Sequence, residues 1–189
     1  ELQNETEEFM ALNLPEIGGS ADFEAQLSQG LDNPLLTSEI IITSGKASGY
    51  SFSDINVDLS YNNHVLNFKD IRVSDNNAVV TGEGNVDLSA GSPLLAASFS
   101  LSEINCSYLE QKTGISIPVS GRLGGDIRLE GSLQAPRLRG TLTSNNMSLD
   151  SIGGYTPDKM SVDFSWEKDS PIVFNRIMVK KGDARMKAS

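Results

Sequence analysis

A chain of 189 residues is long enough to bury a core, and its 15 Lys and Arg against 25 Asp and Glu, a formal net charge of −10, exclude a nucleic-acid binder, which needs surplus cations against phosphate. Only 38% of residues are apolar, thin for a compact globule, yet 21% charged is too few for a disordered polyelectrolyte. One cysteine, Cys106, and one histidine, His64, preclude an intramolecular disulfide and a thiolate metal centre and remove most Ser-His-Asp chemistry, and no apolar run approaches the roughly 20 residues that span a bilayer.

The chain opens at Glu1 without a methionine or a signal peptide, which reads as a processed or excised piece. Thr6–Leu12, rich in Glu and Leu and followed by Pro15, predicts a helix of one or two turns. Ile55, Val57, Leu59 and Tyr61 then alternate with Asp54, Asn56, Asp58 and Ser60, the period of a half-buried strand. Leu66 and Phe68 continue the pattern after Asn62-Asn63, and Val80, Val86 and Leu88 carry it around Gly82 and Gly84 after Asp75-Asn76-Asn77. A second short helix is predicted over 107–113, ahead of Pro118, with Cys106 beside it as a small buried hydrophobe. Beyond it Ile127, Leu129 and Leu133 alternate with Asp126, Arg128, Glu130 and Ser132, and further turns fall at Asn145-Asn146 and Gly153-Gly154.

An internal repeat underlies this series. A shift of 102 residues lays Gly19 on Gly121, Leu27 on Leu129, Leu31 on Leu133 and Pro34 on Pro136. A shift of 105 lays Ile55–Tyr61 on Met160–Trp166, and a shift of 106 lays Leu66, Phe68, Ile71 and Val73 on Ile172, Phe174, Ile177 and Val179. Residues 18–89 form the first copy and 121–187 a second, truncated one, so that residues 1–189 read as one continuous fragment of a longer array. The charge is split between the halves: residues 1–102 carry 3 basic and 15 acidic side chains, residues 103–189 carry 12 and 10.

The expected class is therefore all-β, with one or two short helices. A sheet apolar on one face must bury it, and the helices are too few and short to cover a dozen strands. A sandwich and a single sheet curled over on itself both remain, and glycines inside the strands favour the curl. The apolar stripe comprises Phe23, Leu27, Ile40, Ile42, Val57, Leu59, Leu66, Phe68, Phe99, Leu101, Ile127, Leu129, Leu142, Val162, Phe164 and Phe174. These residues line an open groove for acyl chains or, in the plainer reading, fill a closed core. Asp58, Asp126 and Asp163, set among Ser and Asn, read as a solvated face and not as a catalytic pair, so no enzyme, metal or cofactor is expected. His64 reads as a solvated turn residue, and Lys180, Lys181, Arg185 and Lys187 as a solvated strand edge within reach of anionic headgroups.

The run Gly121–Gly140, with Gly121, Gly124, Gly125, Gly131, Leu133 and Pro136 behind a short helix, resembles the repeated element of the TamB (translocation and assembly module) and AsmA-like family. Gly18–Ile42 is a weaker version, with Gln29 and Ser38 where the second copy has Gly131 and Gly140. The resemblance implies a long curled antiparallel sheet with an apolar lumen, a β-taco, in the periplasm as part of a protein anchored in the inner membrane outside this fragment. It implies phospholipid as cargo and a BamA-like or TamA-like outer-membrane barrel as partner, with scaffolding of barrel assembly by strand pairing as the alternative role. An edge-to-edge dimer of the fragment is a further expectation. An adhesin-type β-helix fits less well, because no period near 20 residues is present.

Overall fold

The computed structural model describes residues 17–29, 34–47, 50–75, 78–89, 91–113, 119–145, 147–149, 153 and 155–188. The expected first helix, Thr6–Leu12, lies outside them. The strands are β1 (Ile17–Ser28), β2 (Leu35–Ala47), β3 (Tyr50–Phe52), β4 (Asp54–Asn62), β5 (Val65–Asp75), β6 (Ala78–Asp87) and β7 (Leu94–Asn105). The helix α1 (Cys106–Thr113) follows, then β8 (Val119–Ser120), β9 (Arg122–Ser132), β10 (Ala135–Asn145), β11 (Ser148–Leu149), β12 (Lys159–Glu167), β13 (Val173–Lys181) and β14 (Ala184–Ala188).

Twelve antiparallel strands form one curled, unclosed sheet. Its order is the chain order, β1-β2-β4-β5-β6-β7-β9-β10-β12-β13-β14, with β3 paired to β2, while β8 and β11 make a separate two-stranded sheet. No second sheet faces the large one among the described residues, which decides against the sandwich. β12 begins and ends 105 residues after β4, and β14 begins 106 residues after β6.

Bulges bend the sheet. The β4–β5 and β12–β13 pairs both slip register, between Asn56 and Asp58 and between Asp163 and Phe164. In β5 the extra residue puts Asp70 at a φ of 52°, the left-handed region. Gly125 has a φ of 152°, and a Cβ there would meet the Thr141 carbonyl, so a side chain is excluded at this close approach of β9 to β10.

Little is fully buried. Ile104, Cys106 and Met147 are, at the corner where α1 and the small sheet meet β7, and Ala97 and Val179 are buried within the large sheet. Asn105 caps α1, its Oδ1 accepting from the Ser107 N–H at 3.0 Å, and the Cys106 N–H donates to the Gly121 carbonyl at 2.9 Å. Two details of the sequence reading need correction. Leu133 is not a strand residue but sits exposed in the β9–β10 turn; in the Leu-x-x-Pro segment that ends at Pro136, only Pro136 and the residue before it are in β10, with Pro136 opposite Gly131. Leu88 lies past the end of β6, where its N–H donates to the His64 carbonyl, and is exposed.

Candidate functional site

Directly opposed residues of antiparallel strands share a face, so the register sorts every side chain. One row runs Ala21, Ile42, Ile55, Val73, Val80, Leu101, Gly125, Leu142, Val162, Ile177 and Ala188, one residue per strand from β1 to β14. Beside it lie Phe23, Ile40 and, past the Val57 bulge, Ile71, Gly82, Phe99, Ile127, Gly140, Phe164 and Phe174. The third row is Ala25, Ser38, Leu59, Phe68, Gly84, Ala97, Leu129, Leu138 and Trp166. The fourth is Leu27, Leu36, Tyr61, Leu66, Val86, Leu95, Gly131 and Pro136.

All sixteen residues of the apolar stripe fall in these four rows. Ser38 is the only side chain in them that is polar throughout. The sequence reading missed Leu36, Ile55, Ile71, Val73, Val80, Val86, Leu95, Leu138 and Ile177 as members of the stripe, although several of them sit in the same alternating runs. In the middle strands the stripe is half-buried. At the ends it is not: Phe23 is 74% exposed on β1 and Phe174 60% on β13, because among the described residues little or nothing further stacks beside them.

Glycines shape this face. A Cβ at Gly82 would run into the Phe99 ring, one at Gly84 would lie 2.6 Å from Phe68 Cε2, and one at Gly140 would lie 2.8 Å from Phe164 Cε1. Each ring therefore lies over a glycine on the neighbouring strand. Removing side-chain volume from one face lets the sheet bend toward it, and the rings fill what the glycines leave.

The opposite face is a polar ladder. Its middle row is Asp22, Ile41, Asn56, Arg72, Thr81, Ser100, Asp126, Thr141, Asp163 and Arg176. The Ser100 hydroxyl donates to Asp126 at 2.6 Å and the Thr141 hydroxyl to Asp163 at 2.9 Å, while Arg176 pairs with Asp163 at 2.7 Å. Ile41, 40% exposed, is the apolar exception in this row. Asp58, Asp126 and Asp163 all belong to this face.

No group of three or more His, Cys, Asp or Glu side chains converges among the described residues, so none of them offers a metal centre. His64 is exposed in the β4–β5 turn. Burial pushes the Cys106 thiol above its ordinary pKa, which disfavours the thiolate that redox chemistry or metal binding would require. The Ser89 hydroxyl and N–H hold the Asp87 carboxyl below the usual range, and the Gly182 N–H does the same for Asp158, with help from Lys181. Both carboxylates pin turns at the strand ends and do not face the apolar rows. No helix among the described residues is long and apolar enough to cross a membrane.

The chain matches no protein-family model, no curated protein and no solved structure, so its likeness to the TamB and AsmA-like family stands on the glycines, the Leu-x-x-Pro segment and the repeat described above.

Proposed function

We propose that the apolar face is a trough for the acyl chains of phospholipids, and that the protein is a periplasmic segment of a conduit between inner and outer membranes, of the TamB-like kind. The observation that carries this reading is the set of four nearly unbroken apolar rows on a face that no second layer covers among the described residues. Water leaves such a face only if something apolar occupies it. Transfer of a methylene onto it contributes about 0.8 kcal/mol, so a chain of roughly 15 methylenes gains at most about 12 kcal/mol. Because the rows repeat from strand to strand, that gain is nearly equal at each position along the stacking direction. A lipid is then held firmly yet shifts with small barriers, its headgroup at the rim in water.

Photo-crosslinking tests the trough. A photoreactive residue in place of Leu59 or Ile127 is expected to yield lipid adducts at least about tenfold above the same residue in place of Asp58 or Arg128, on the polar face. Adducts equally rare at all four positions would sink the reading.

A second reading has its own support. Among the described residues no strand pairs with the outer edge of β1 or β14, and both edges display exposed apolar side chains, Phe23 and Leu27 on one and Met186 on the other. Open edges accept strands by main-chain hydrogen bonding. On this reading the protein scaffolds an outer-membrane barrel protein, a BamA-like partner or a second copy of itself. Titration with phospholipid and, separately, with an unfolded barrel protein distinguishes the roles, since only strand addition broadens the amide signals of β1 and β14 selectively.

A further inference from the structure

The pairing of β12 with β13 adds Lys159 to the cations that β13 and β14 already carry close together in the sequence. Lys159 opens β12, Lys180 lies near the end of β13 and Arg185 lies near the start of β14. The register sets Lys159 opposite Lys180 and Lys180 opposite Arg185, and one row further Ser161 opposite Met178 and Met178 opposite Lys187. All six residues lie on the polar face, at one long rim of the sheet where these strands end.

The four cations are exposed, and none of them forms an ion pair among the described residues. Their neighbours differ: Arg176 is held by Asp163 at 2.7 Å and Lys181 by Asp158 at 3.7 Å. Like charges directly opposite each other on adjacent strands destabilise a sheet. Arg128 and Arg139 also face each other, but the rows on either side of them bring in Asp126 and Glu130. The row beside Lys159, Lys180 and Arg185 brings in only a fourth cation; Asp158, at the same rim, feels the charge of Lys180 but bonds to Lys181 and the Gly182 N–H. Together the four cations border a concavity of about 350 Å³ in which Met178, on the same face, is 40% exposed.

We propose that this rim docks the headgroups of anionic phospholipids, the cations on the phosphates and the exposed Met178 against the apolar boundary beneath them. A chain of net charge −10 is repelled by an anionic surface as a whole, so attachment has to be local, and this is a place where cations outnumber carboxylates. A free phosphate ion would gain nothing from Met178, whereas an interface rewards cationic and apolar groups side by side. Docking here needs no acyl chain in the trough, so it stands or falls separately from the conduit.

The test is co-sedimentation of the full chain with phosphatidylcholine vesicles, with and without about one-third phosphatidylglycerol. Binding is expected only to the anionic vesicles, weakening steeply as salt is added. The variant K159Q/K180Q/R185Q/K187Q should bind about tenfold or more weakly. The variant K69Q/R72Q/R128Q/R139Q, with the same change in net charge on the same face, should stay within about twofold of the unchanged chain. Should the first variant fail to fold, Lys180→Glu alone reverses the centre of the row and gives the same readout. Equal losses in the two variants, no binding to anionic vesicles, or displacement by inorganic phosphate at millimolar concentration would overturn the proposal.

Discussion

Valine in place of Gly84 is expected to cost the sheet about 3 kcal/mol or more, a fall in melting temperature of roughly 6–12 °C for a chain of this size. The new Cβ would lie 2.5 Å from the Ala96 carbonyl oxygen, 2.6 Å from Phe68 Cε2 and 2.7 Å from the Ala97 Cα. Two of these three obstacles are backbone, so no rotamer change relieves them. β6 must separate from β7, or Phe68 must leave its seat. Gly91→Ala is the control: nothing lies within 4 Å of a Cβ there, and its stability should stay within about 0.5 kcal/mol of the parent. Denaturation followed by circular dichroism gives the comparison. Trp166, the only tryptophan, sits on β12, three strands from β7 in the stacking order, and adds a second reading. In a sheet built by nearest-neighbour stacking, its fluorescence transition should move less than the overall signal. A Gly84→Val chain that melts with the parent would show that the ring does not rest on the glycine.

Leu129→Lys is expected to abolish lipid carriage while leaving the fold in place. Leu129 lies between Ala97 and Leu138 in the third apolar row, near the middle of the sheet. An ammonium there puts a charge where an acyl chain would pass, and a charge in hydrocarbon costs on the order of 2.5–3.5 kcal/mol. That corresponds to a loss of carried lipid of tenfold or more. Folding should suffer by only about 1–2 kcal/mol, because the half-buried position faces an open side toward which lysine extends its amine. Native mass spectrometry of purified chains, counting bound phospholipid, makes the measurement. Glu130→Lys adds the same positive residue one position along, on the polar face, and should retain its lipid. Equal retention by both chains would mean that the apolar rows are not the path.

Alternation alone located the main strands, because a period of two is a local property that each strand carries in its own residues. It placed Ile127 and Leu129 on one face and Asp126 and Arg128 on the other, as the register does. It did not reveal what covers the apolar face, since Leu129 has the same pattern in a sandwich and in an open sheet. Alternation also ran past the strand ends, drawing Leu88 and Leu133 into strands they do not join. Strands as short as β3, β8 and β11 offer too few residues for any period to register. The glycines were legible as bending points, but the seating of Phe99 over Gly82 required knowing that residues 17 apart in the chain are neighbours. The cationic row was legible in part: Lys180, Arg185 and Lys187 lie within eight residues of one another, whereas Lys159 stands 21 residues before Lys180 and joins them only through the pairing of β12 with β13.

Strand order that follows chain order has a consequence for how such a protein changes length. Each strand advances about 4.8 Å, so the eleven strands of the main path measure roughly 48 Å along the curl. Excising one hairpin removes about 10 Å, and the flanking strands can close the gap antiparallel with their inner and outer residues unchanged. Duplicating one adds as much. A crossover topology allows neither, because its neighbours in space are not neighbours in the gene. The length of this sheet is therefore free to follow a distance set from outside the protein, one hairpin at a time.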